Sequence, residues 1–143
     1  MSEKDRRVLS QSELAAEAGE PAQITYCSPE VLDLAPMIYR QRLVLEGTCL
    51  APIEADDIRA YLGALSGVCK MRILTPPIAH RSELYGWAGW IHWETSGVHF
   101  YAWETPTLFF SVDIYTCKRF DVEQAYRFTK RFFKAPELVA MAF

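Results

Sequence analysis

The sequence predicts an α+β fold, a two-layer sandwich in which a mainly antiparallel sheet carries two helices on one face. Its 143 residues suit one domain, and a composition that is 50% hydrophobic and 13% aromatic can form a packed core. Strand and helix patterns follow one another in the order β-α-β-β-β-β-α-β. The polar residues 1–22 are predicted to be a mobile N-terminal arm with a short helix over Ser12–Ala18, and residues 23–143 a single domain.

Periodicity places the individual elements. Alternating or continuous apolar residues predict six strands, at residues 38–45, 68–74, 85–93, 98–103, 108–117 and 138–143. Apolar residues at helical spacing predict two helices, at residues 55–65 and 121–133. Gly67 is expected to close the first helix, and Asp121 to cap the second. Pro76 and Pro77 are expected to end the second strand, because proline removes a backbone donor.

Composition argues against several classes of partner. A net charge of -3 and a pI near 5.6 give no reason to expect binding to a nucleic acid or to an anionic membrane. No apolar run reaches the roughly 18 residues of a membrane span, and the start lacks the apolar stretch of a secretory signal. Four widely spaced cysteines without a CxxC pair are typical of reduced thiols, so a cytoplasmic protein is expected.

Two further expectations come from side-chain chemistry. Because an exposed apolar sheet face would aggregate, the aromatic strands favour a homodimer that packs sheet against sheet. The histidines are His80, His92 and His99, and none has a recognised zinc spacing. A site made by His92, His99 and Glu94 is conceivable, but no metal is expected.

One stretch of the chain resembles a known family. Residues 93–104 read WETSGVHFYAWE, and residues 111–117 read SVDIYTC. They resemble the ESHxSIHTWPE-like segment and the AVDxFTC strand end of the bacterial S-adenosylmethionine decarboxylases. Glu46-Gly47-Thr48 is similar to the EGT turn of the eukaryotic branch. The resemblance covers about residues 37–143 and implies the fold of that family.

The resemblance also implies roles for particular residues. In that family a serine attacks its own preceding peptide bond, the chain splits, and the serine becomes an N-terminal pyruvoyl cofactor that serves as the electron sink for decarboxylation. By position, Ser96 would form the pyruvoyl group and Cys117 would donate a proton. Glu46 would lie near the substrate, and Glu104 is the candidate for the acid that binds the ribose.

Four positions depart from the family pattern. The family has a glutamate before the cleaved bond, where this chain has Thr95. The family has a histidine after the serine, where this chain has Gly97. At the position of the histidine that the family uses for self-processing, this chain has Tyr101. At the position of a serine with a role in the same reaction, it has Ala88. His99 is two residues from Tyr101 on the same predicted strand face, so it is a candidate base, and Tyr101 or Thr95 a candidate hydroxyl donor.

The substrate's adenine needs aromatic partners. The family stacks it between phenylalanines, one of which corresponds to Leu45 here. Tyr85, Trp87 and Trp103 are therefore candidates for contacts with the substrate. Alternation predicts that Trp87 and Trp93 share one strand face and that Trp90 lies on the other.

Each candidate also has a structural interpretation. Ser96-Gly97 would serve as a tight hairpin turn, and Cys117 as a small buried hydrophobic residue. Glu46 would be a solvated residue at a strand end, and the tryptophans core or dimer contacts.

Three functions therefore remain open. The chain is expected to bind S-adenosylmethionine or a related adenosyl sulfonium without forming pyruvoyl, as a regulator or for non-decarboxylative chemistry. It would alternatively be a lyase, a pyruvoyl-dependent decarboxylase of S-adenosylmethionine or an amino acid in polyamine biosynthesis, self-cleaved between Thr95 and Ser96. The third possibility is a non-catalytic partner subunit of a true decarboxylase.

Overall fold

The structure is a computed structural model that describes residues 20–28 and 30–143. The predicted helix over Ser12–Ala18 lies outside these residues, and the division into an arm and a domain stays a prediction. Seven strands form one sheet, and two helices cover one of its faces. In chain order the elements are β1 (Ile24–Tyr26), β2 (Gln41–Thr48), α1 (Ala55–Val68), β3 (Ile73–Ser82), β4 (Gly86–Trp93), β5 (Ser96–Trp103), β6 (Phe109–Thr116), α2 (Val122–Phe133) and β7 (Leu138–Ala142).

The strand order across the sheet is β1-β7-β2-β6-β5-β4-β3. The β1–β7 pair is parallel and every other pair is antiparallel. The predicted α+β fold, with a mainly antiparallel sheet and two helices, is confirmed. Strand β1 was not predicted, because a strand of three residues is too short to show an alternating pattern.

Two predicted boundaries in the first half of the domain were wrong. Helix α1 does not close at Gly67 but continues to Val68, and the chain turns through Lys70 at φ +55°. The following strand runs through the two prolines instead of ending before them. It tolerates them because β3 is an edge strand whose pairing with β4 shifts register between Ile73 and Ile78.

The core lies between the helices and the sheet. Leu43 and Leu45 of β2, Phe100 of β5 and Phe110 of β6 are fully buried there. Tyr61 of α1 packs edge-on against Phe100. Because successive side chains of a strand point to opposite faces, the neighbours of these residues lie on the other face of the sheet. No helix among residues 20–28 and 30–143 covers that face, which we call the open face.

Two buried hydrogen bonds fix the helices relative to each other and to the sheet. The hydroxyls of Tyr61 in α1 and Thr129 in α2 lie 2.8 Å apart. The indole N–H of Trp93, at the end of β4, donates to the hydroxyl of Ser66 in α1 at 2.7 Å. Trp93 is fully buried, so this bond attaches the end of the β4–β5 hairpin to the helix layer.

Helix α2 begins as the sequence predicts. The Asp121 side chain accepts a hydrogen bond from the backbone N–H of Gln124 at 3.0 Å, as expected of an N-cap. The helix buries Ala125, Tyr126 and Thr129 against the sheet, and the Tyr126 hydroxyl donates to the carbonyl of Leu138. The start of β7 is thereby held against α2.

A glycine substitution tests the contact between α1 and the sheet. A Cβ added to Gly89 would lie 2.5 Å from Cγ2 of Ile58 and 2.8 Å from the carbonyl oxygen of Ile78. We therefore expect Gly89→Ala to lower the free energy of unfolding by roughly 1 to 3 kcal/mol, as overpacking does. Urea denaturation measures this change.

Gly63 provides the matched control. It lies within α1, and an added Cβ meets nothing within 4 Å. Gly63→Ala should therefore raise the free energy of unfolding by about 0.5 to 1 kcal/mol, because alanine loses less backbone entropy in a helix. Equal effects of the two substitutions would contradict the packing described here.

Candidate functional site

The β4–β5 hairpin carries the Thr95–Ser96 bond. A two-residue turn, Glu94-Thr95, joins the strands, and Ser96 pairs with Trp93 on one side and with Thr116 on the other. Ser96 has a φ of +129°, in a region that residues other than glycine rarely occupy and at a cost on the order of 1–3 kcal/mol. The burial of Trp93 and the pairing with β6 therefore hold Ser96 in a strained conformation.

Cys117 lies directly beside the bond before Ser96. Its backbone N–H donates to the carbonyl oxygen of Thr95 at 3.0 Å, and its thiol lies 3.6 Å from the same oxygen. The Thr116 hydroxyl donates to the Thr95 hydroxyl at 3.1 Å, and the Thr95 hydroxyl points to the sulfur of Met71. Two donors of Cys117, the backbone N–H and the thiol, thus face the Thr95 carbonyl. The Thr95 side chain is held by Thr116 of β6 and by Met71, which precedes β3.

A cleft of about 510 Å³ opens on the open face next to this turn. Ser96 and Gly97 form part of its lining, as do six other polar or aromatic residues from β2, β4, β5 and β6. These six are Arg42, Trp90, His92, His99, Asp113 and Tyr115.

Cross-strand pairing orders the cleft into two rows. In one row, His92, Gly97 and Tyr115 lie side by side on β4, β5 and β6, and Arg42 of β2 continues the row. The second row, two residues along the strands, contains Trp90, His99 and Asp113. Aromatic and acidic groups therefore lie in one open pocket beside Ser96.

An ion pair crosses from one row to the other. The Arg42 guanidinium donates to both carboxylate oxygens of Asp113, at 2.9 Å from Nε and 2.6 Å from Nη2. These hydrogen bonds and the charge of Asp113 raise the pKa of the guanidinium above its ordinary value. The arginine side chain also lies over the ring of Phe143, with 5.9 Å between Cζ and the ring centroid. The pair gives the cleft a fixed cation and a fixed anion.

Two of the proposed site residues on β5, Tyr101 and Trp103, lie away from Ser96. Tyr101 and Trp103 are five and seven residues along the strand, or about 17 and 23 Å at 3.3 Å per residue. Together with Tyr85 and Phe109 they form an aromatic group whose ring centroids are 5.3 to 6.5 Å apart. Glu104 lies beyond Trp103 and forms an ion pair with Arg81 at 3.3 Å. We call this the aromatic end of the open face.

His99 and Tyr101 lie on the same face, with 6.4 Å between their ring centroids. His99 lines the cleft, whereas Tyr101 faces Ala88 on β4 and Ser111 on β6. His99 therefore lies between the cleft, which it lines, and the aromatic end, where it neighbours Tyr101.

Glu46 of β2 lies level with Tyr101, because both residues pair with Ser111 of β6, and it lies outside the cleft. It pairs with Ser111, five positions along β2 from the residue aligned with Ser96, or about 17 Å at 3.4 Å per residue. It lines a separate pocket of about 340 Å³ with Thr48, Phe109 and Lys130. Within one chain, therefore, the structure brings Cys117 to Ser96 but not Glu46, Tyr101 or Glu104.

Two positions proposed for adenine contacts lie on the helix side of the sheet. Leu45 is fully buried in the core. Trp87 donates its indole N–H to the Glu54 carboxylate at 3.0 Å, and Arg81 lies over its ring. Trp93 shares this face, while Trp90 lies on the open face. Neither Leu45 nor Trp87 reaches the cleft.

Five residues that line the cleft were not predicted from the sequence as site residues: Arg42, Trp90, His92, Asp113 and Tyr115. Only the alternation along each strand carried a signal for them, and that alternation does not show which face the helices cover. Within residues 20–28 and 30–143, no group of three or more metal-binding side chains comes together. The helices described there are too short or too polar to cross a membrane.

The cysteines differ in a way that alkylation can measure. Burial raises the pKa of the Cys69 thiol to about 12, and the charge of Asp121 adds to this shift. Burial also raises the pKa of Cys49, whereas Cys117 is exposed at the turn. We expect iodoacetamide at pH 8 to modify Cys117 well before Cys69, because the thiolate is the reactive form.

Peptide mapping by mass spectrometry follows each cysteine over time. Cys117→Ser should remove the fast site and leave the slow labelling of Cys69 unchanged. Equal labelling rates at Cys69 and Cys117 would show that the turn is not arranged as described.

Comparisons with known proteins agree with this architecture. A sequence profile described as S-adenosylmethionine decarboxylase matches residues 52–143, a range that includes Ser96 and Cys117 but not Glu46. No curated protein sequence matches the chain. Among solved structures, the adenosylmethionine decarboxylase from Aquifex aeolicus vf5 superposes with a TM-score of 0.55 and 16% identity, covering 74% of this chain and 89% of that one. The chain belongs to the S-adenosylmethionine decarboxylase family.

Proposed function

We propose that the chain binds S-adenosylmethionine or a related adenosyl sulfonium in the cleft beside Ser96, and that it does so as an uncleaved polypeptide. The observation that carries this proposal is the row made by Trp90, His99 and Asp113. A sulfonium is a cation without hydrogen-bond donors, so the aromatic faces of Trp90 and His99 suit it. Asp113 contributes the negative end of its ion pair with Arg42. A cation over an aromatic ring gains roughly 0.5 to 2 kcal/mol. Membership of the family supports the choice of ligand.

The case for an uncleaved chain rests on positions 88 and 101, which pair across β4 and β5, and on position 97, directly after Ser96. The resemblance assigns self-processing to positions 88 and 101, which face each other across β4 and β5. They hold Ala88 and Tyr101, so the expected hydroxyl and imidazole are both replaced. A side chain at position 97 would place its Cβ 2.3 Å from the carbonyl oxygen of Ile91, so the histidine missing there has no room.

An uncleaved sulfonium-binding protein has two uses open to it. It acts as a sensor of the ligand, or it promotes an intramolecular reaction such as elimination or cyclisation. Such reactions run on positioning and electrostatics and need no electron sink. His99 lies between Trp90 and Asp113 in the row, and it is the candidate base for such a step.

A second candidate function, pyruvoyl-dependent decarboxylation, is favoured by the geometry of the turn itself. Two donors from Cys117 face the Thr95 carbonyl, which is where an attack by the Ser96 hydroxyl would generate negative charge. The strained φ of Ser96 would be relieved once the bond broke. The pyruvoyl group would then supply the carbonyl that binds the substrate amine and accepts electrons during loss of CO2.

One experiment separates the two functions. The mass of the denatured protein should be a single species near 16.4 kDa, and the same preparation should bind S-adenosylmethionine by calorimetry. S-adenosylhomocysteine, which lacks the sulfonium charge, should bind about five- to tenfold more weakly. Trp90→Leu should reduce the difference in affinity between S-adenosylmethionine and S-adenosylhomocysteine, because it removes the aromatic face that favours the charged ligand.

Two other outcomes would decide against the proposal. Fragments that divide between Thr95 and Ser96, with the second fragment lacking its amine, would establish the pyruvoyl decarboxylase instead. Undetectable binding of S-adenosylmethionine at millimolar concentration would remove the sulfonium site altogether.

We also propose that the protein works as a homodimer, with the open faces of two copies packed together. Ser96 and Cys117 lie at one end of the open face, and Tyr101, Trp103 and Glu104 lie toward the other. A second copy related by a two-fold axis perpendicular to the strands would bring its aromatic end over the Ser96 end of the first. The site would then draw on both chains, and the exposed apolar residues of the open face would be covered.

A charge placed in the proposed interface tests the dimer. Tyr101→Lys should give a monomer in analytical ultracentrifugation, because burial of an unpaired ammonium is costly. Leu84→Lys is the matched control: Leu84 is 88% exposed and lies between β3 and β4, outside the open face. A dimer that survives Tyr101→Lys, or a wild-type monomer, would contradict the proposal.

A further inference from the structure

We infer that the loop between β1 and β2 docks into a pocket at the opposite end of the sheet in a second copy of this chain. The loop comprises residues 31–39, and we call it the apolar loop. The inference rests on the homodimer proposed above and deepens it, because it names a second contact between the two copies. The loop precedes residues 52–143, so it lies outside the range that matches the family profile.

The apolar loop presents large apolar side chains to solvent. Six of its nine residues are of this kind, and all six are exposed: Val31, Leu32, Leu34, Met37, Ile38 and Tyr39. Apolar residues scattered singly over a surface are ordinary, whereas a contiguous apolar patch marks an interaction site. The loop therefore needs a partner surface that covers it.

Contacts within the loop hold its shape. Asp33 forms an ion pair with Arg40 and accepts a hydrogen bond from the backbone N–H of Ala35 at 2.9 Å. The backbone N–H of Ile38 donates to the carbonyl oxygen of Ala35 at 2.9 Å. A loop that is already folded loses less conformational entropy when it docks, so more of the contact energy stabilises the complex.

The receiving pocket lies at the far end of β2. It is the pocket of about 340 Å³ that Glu46 lines, and we call it the β2–β7 pocket. Its apolar lining residues are Phe109, Pro136, Leu138 and Val139. At about 30 Å³ for each water-sized group, the pocket holds about eleven non-hydrogen atoms, which is the content of two or three leucine or methionine side chains.

The apolar loop cannot reach this pocket within its own chain. The loop ends just before Gln41, whereas Glu46 and Thr48 line the pocket, so five to seven residues of β2 separate the two. At 3.4 Å per residue this distance is about 17 to 24 Å. Only a second copy can bring a loop of this kind to the pocket.

The symmetry of the proposed dimer brings them together. A two-fold axis that lies between the two sheets and runs across the strands exchanges the ends of each strand while keeping the same strands opposite each other. An axis that crosses β2 midway therefore places the apolar loop of each copy at the β2–β7 pocket of the other. The contact occurs twice, as a two-fold interface requires.

The charges of the two surfaces are complementary. Arg119 lies over the ring of Tyr39, with 5.2 Å between Cζ and the ring centroid, so a cation stands at the base of the apolar loop. Glu46 and Glu137 line the pocket. In the part of the chain that the structure describes, these three charged side chains form no ion pair, whereas Lys130 of the pocket already has one. Docking would bring the guanidinium of one copy toward two carboxylates of the other.

The first test places a carboxylate in the apolar loop. Leu34→Glu should weaken the dimer about a hundredfold in analytical ultracentrifugation, because each dimer buries two copies of Leu34 and each contributes roughly tenfold. Leu84→Glu is the matched control. Leu84 is 88% exposed and Leu34 is 84% exposed, but Leu84 lies between β3 and β4, away from both surfaces. Both variants should keep the circular dichroism spectrum of the wild type, since both side chains are exposed in the single chain.

A photocrosslink identifies the surface that the loop contacts. p-Benzoylphenylalanine in place of Leu34 should attach to peptides that contain residues 46–48 or 136–139. Dimers mixed from isotopically light and heavy subunits should give linked peptides of mixed label, which shows that the two halves come from different chains. The same probe in place of Leu84 should give no such product. Attachment of the probe at position 34 to the cleft of its own chain would overturn the inference.

The outcomes separate this contact from the dimer itself. A wild-type monomer would overturn both. A dimer that Tyr101→Lys disrupts and Leu34→Glu leaves intact would overturn the loop contact while the open-face dimer stands. A dimer that tolerates Tyr101→Lys but is lost with Leu34→Glu, with crosslinks to the β2–β7 pocket, would support the loop contact and overturn the packing of the open faces.

Discussion

The alternation of side chains across the strands determines which chemical groups can meet in this protein. One face of the sheet is covered by two helices and buries Leu45 and Phe100. The next residues along the same strands, including Glu46 and His99, are directed to the other face. Every candidate group on β2, β4, β5 and β6 is therefore committed either to the core or to the open face. The cleft forms because aromatic and charged residues occupy the open-face positions of four adjacent strands.

Much of the fold could be predicted from periodicity, because β2, β4, β5, β6 and β7 and both helices bury apolar residues at regular intervals. The exceptions have physical causes that lie outside the local sequence. β1 has only three residues, and its place beside β7 depends on a long-range parallel pairing. The strand through Pro76 and Pro77 is possible only at the edge of the sheet, and position in the sheet is a property of the topology.

The candidate site could be predicted only in part. The motif identified Ser96 and Cys117, which are 21 positions apart, and the pairing of β5 with β6 brings them together. Neither the face covered by the helices nor the register between strands can be read from spacing along the chain. For that reason Trp87 was taken as a ligand contact although it packs on the helix side. His92 and Tyr115 were not predicted to line the same cleft, because only their pairing with Gly97 on β5 brings them into one row.

The strand order has a consequence for the continuity of the backbone at the hairpin turn. An interruption between Thr95 and Ser96 would leave β1 to β4 on one piece and β5 to β7 on the other. The pieces alternate in the sheet, meeting at the β1–β7, β7–β2, β2–β6 and β5–β4 pairings. Separating them would require four seams of backbone hydrogen bonds to open together. Strands of the two pieces are therefore interleaved in one sheet. A molecule cleaved between Thr95 and Ser96 would keep both pieces together until the whole domain unfolded.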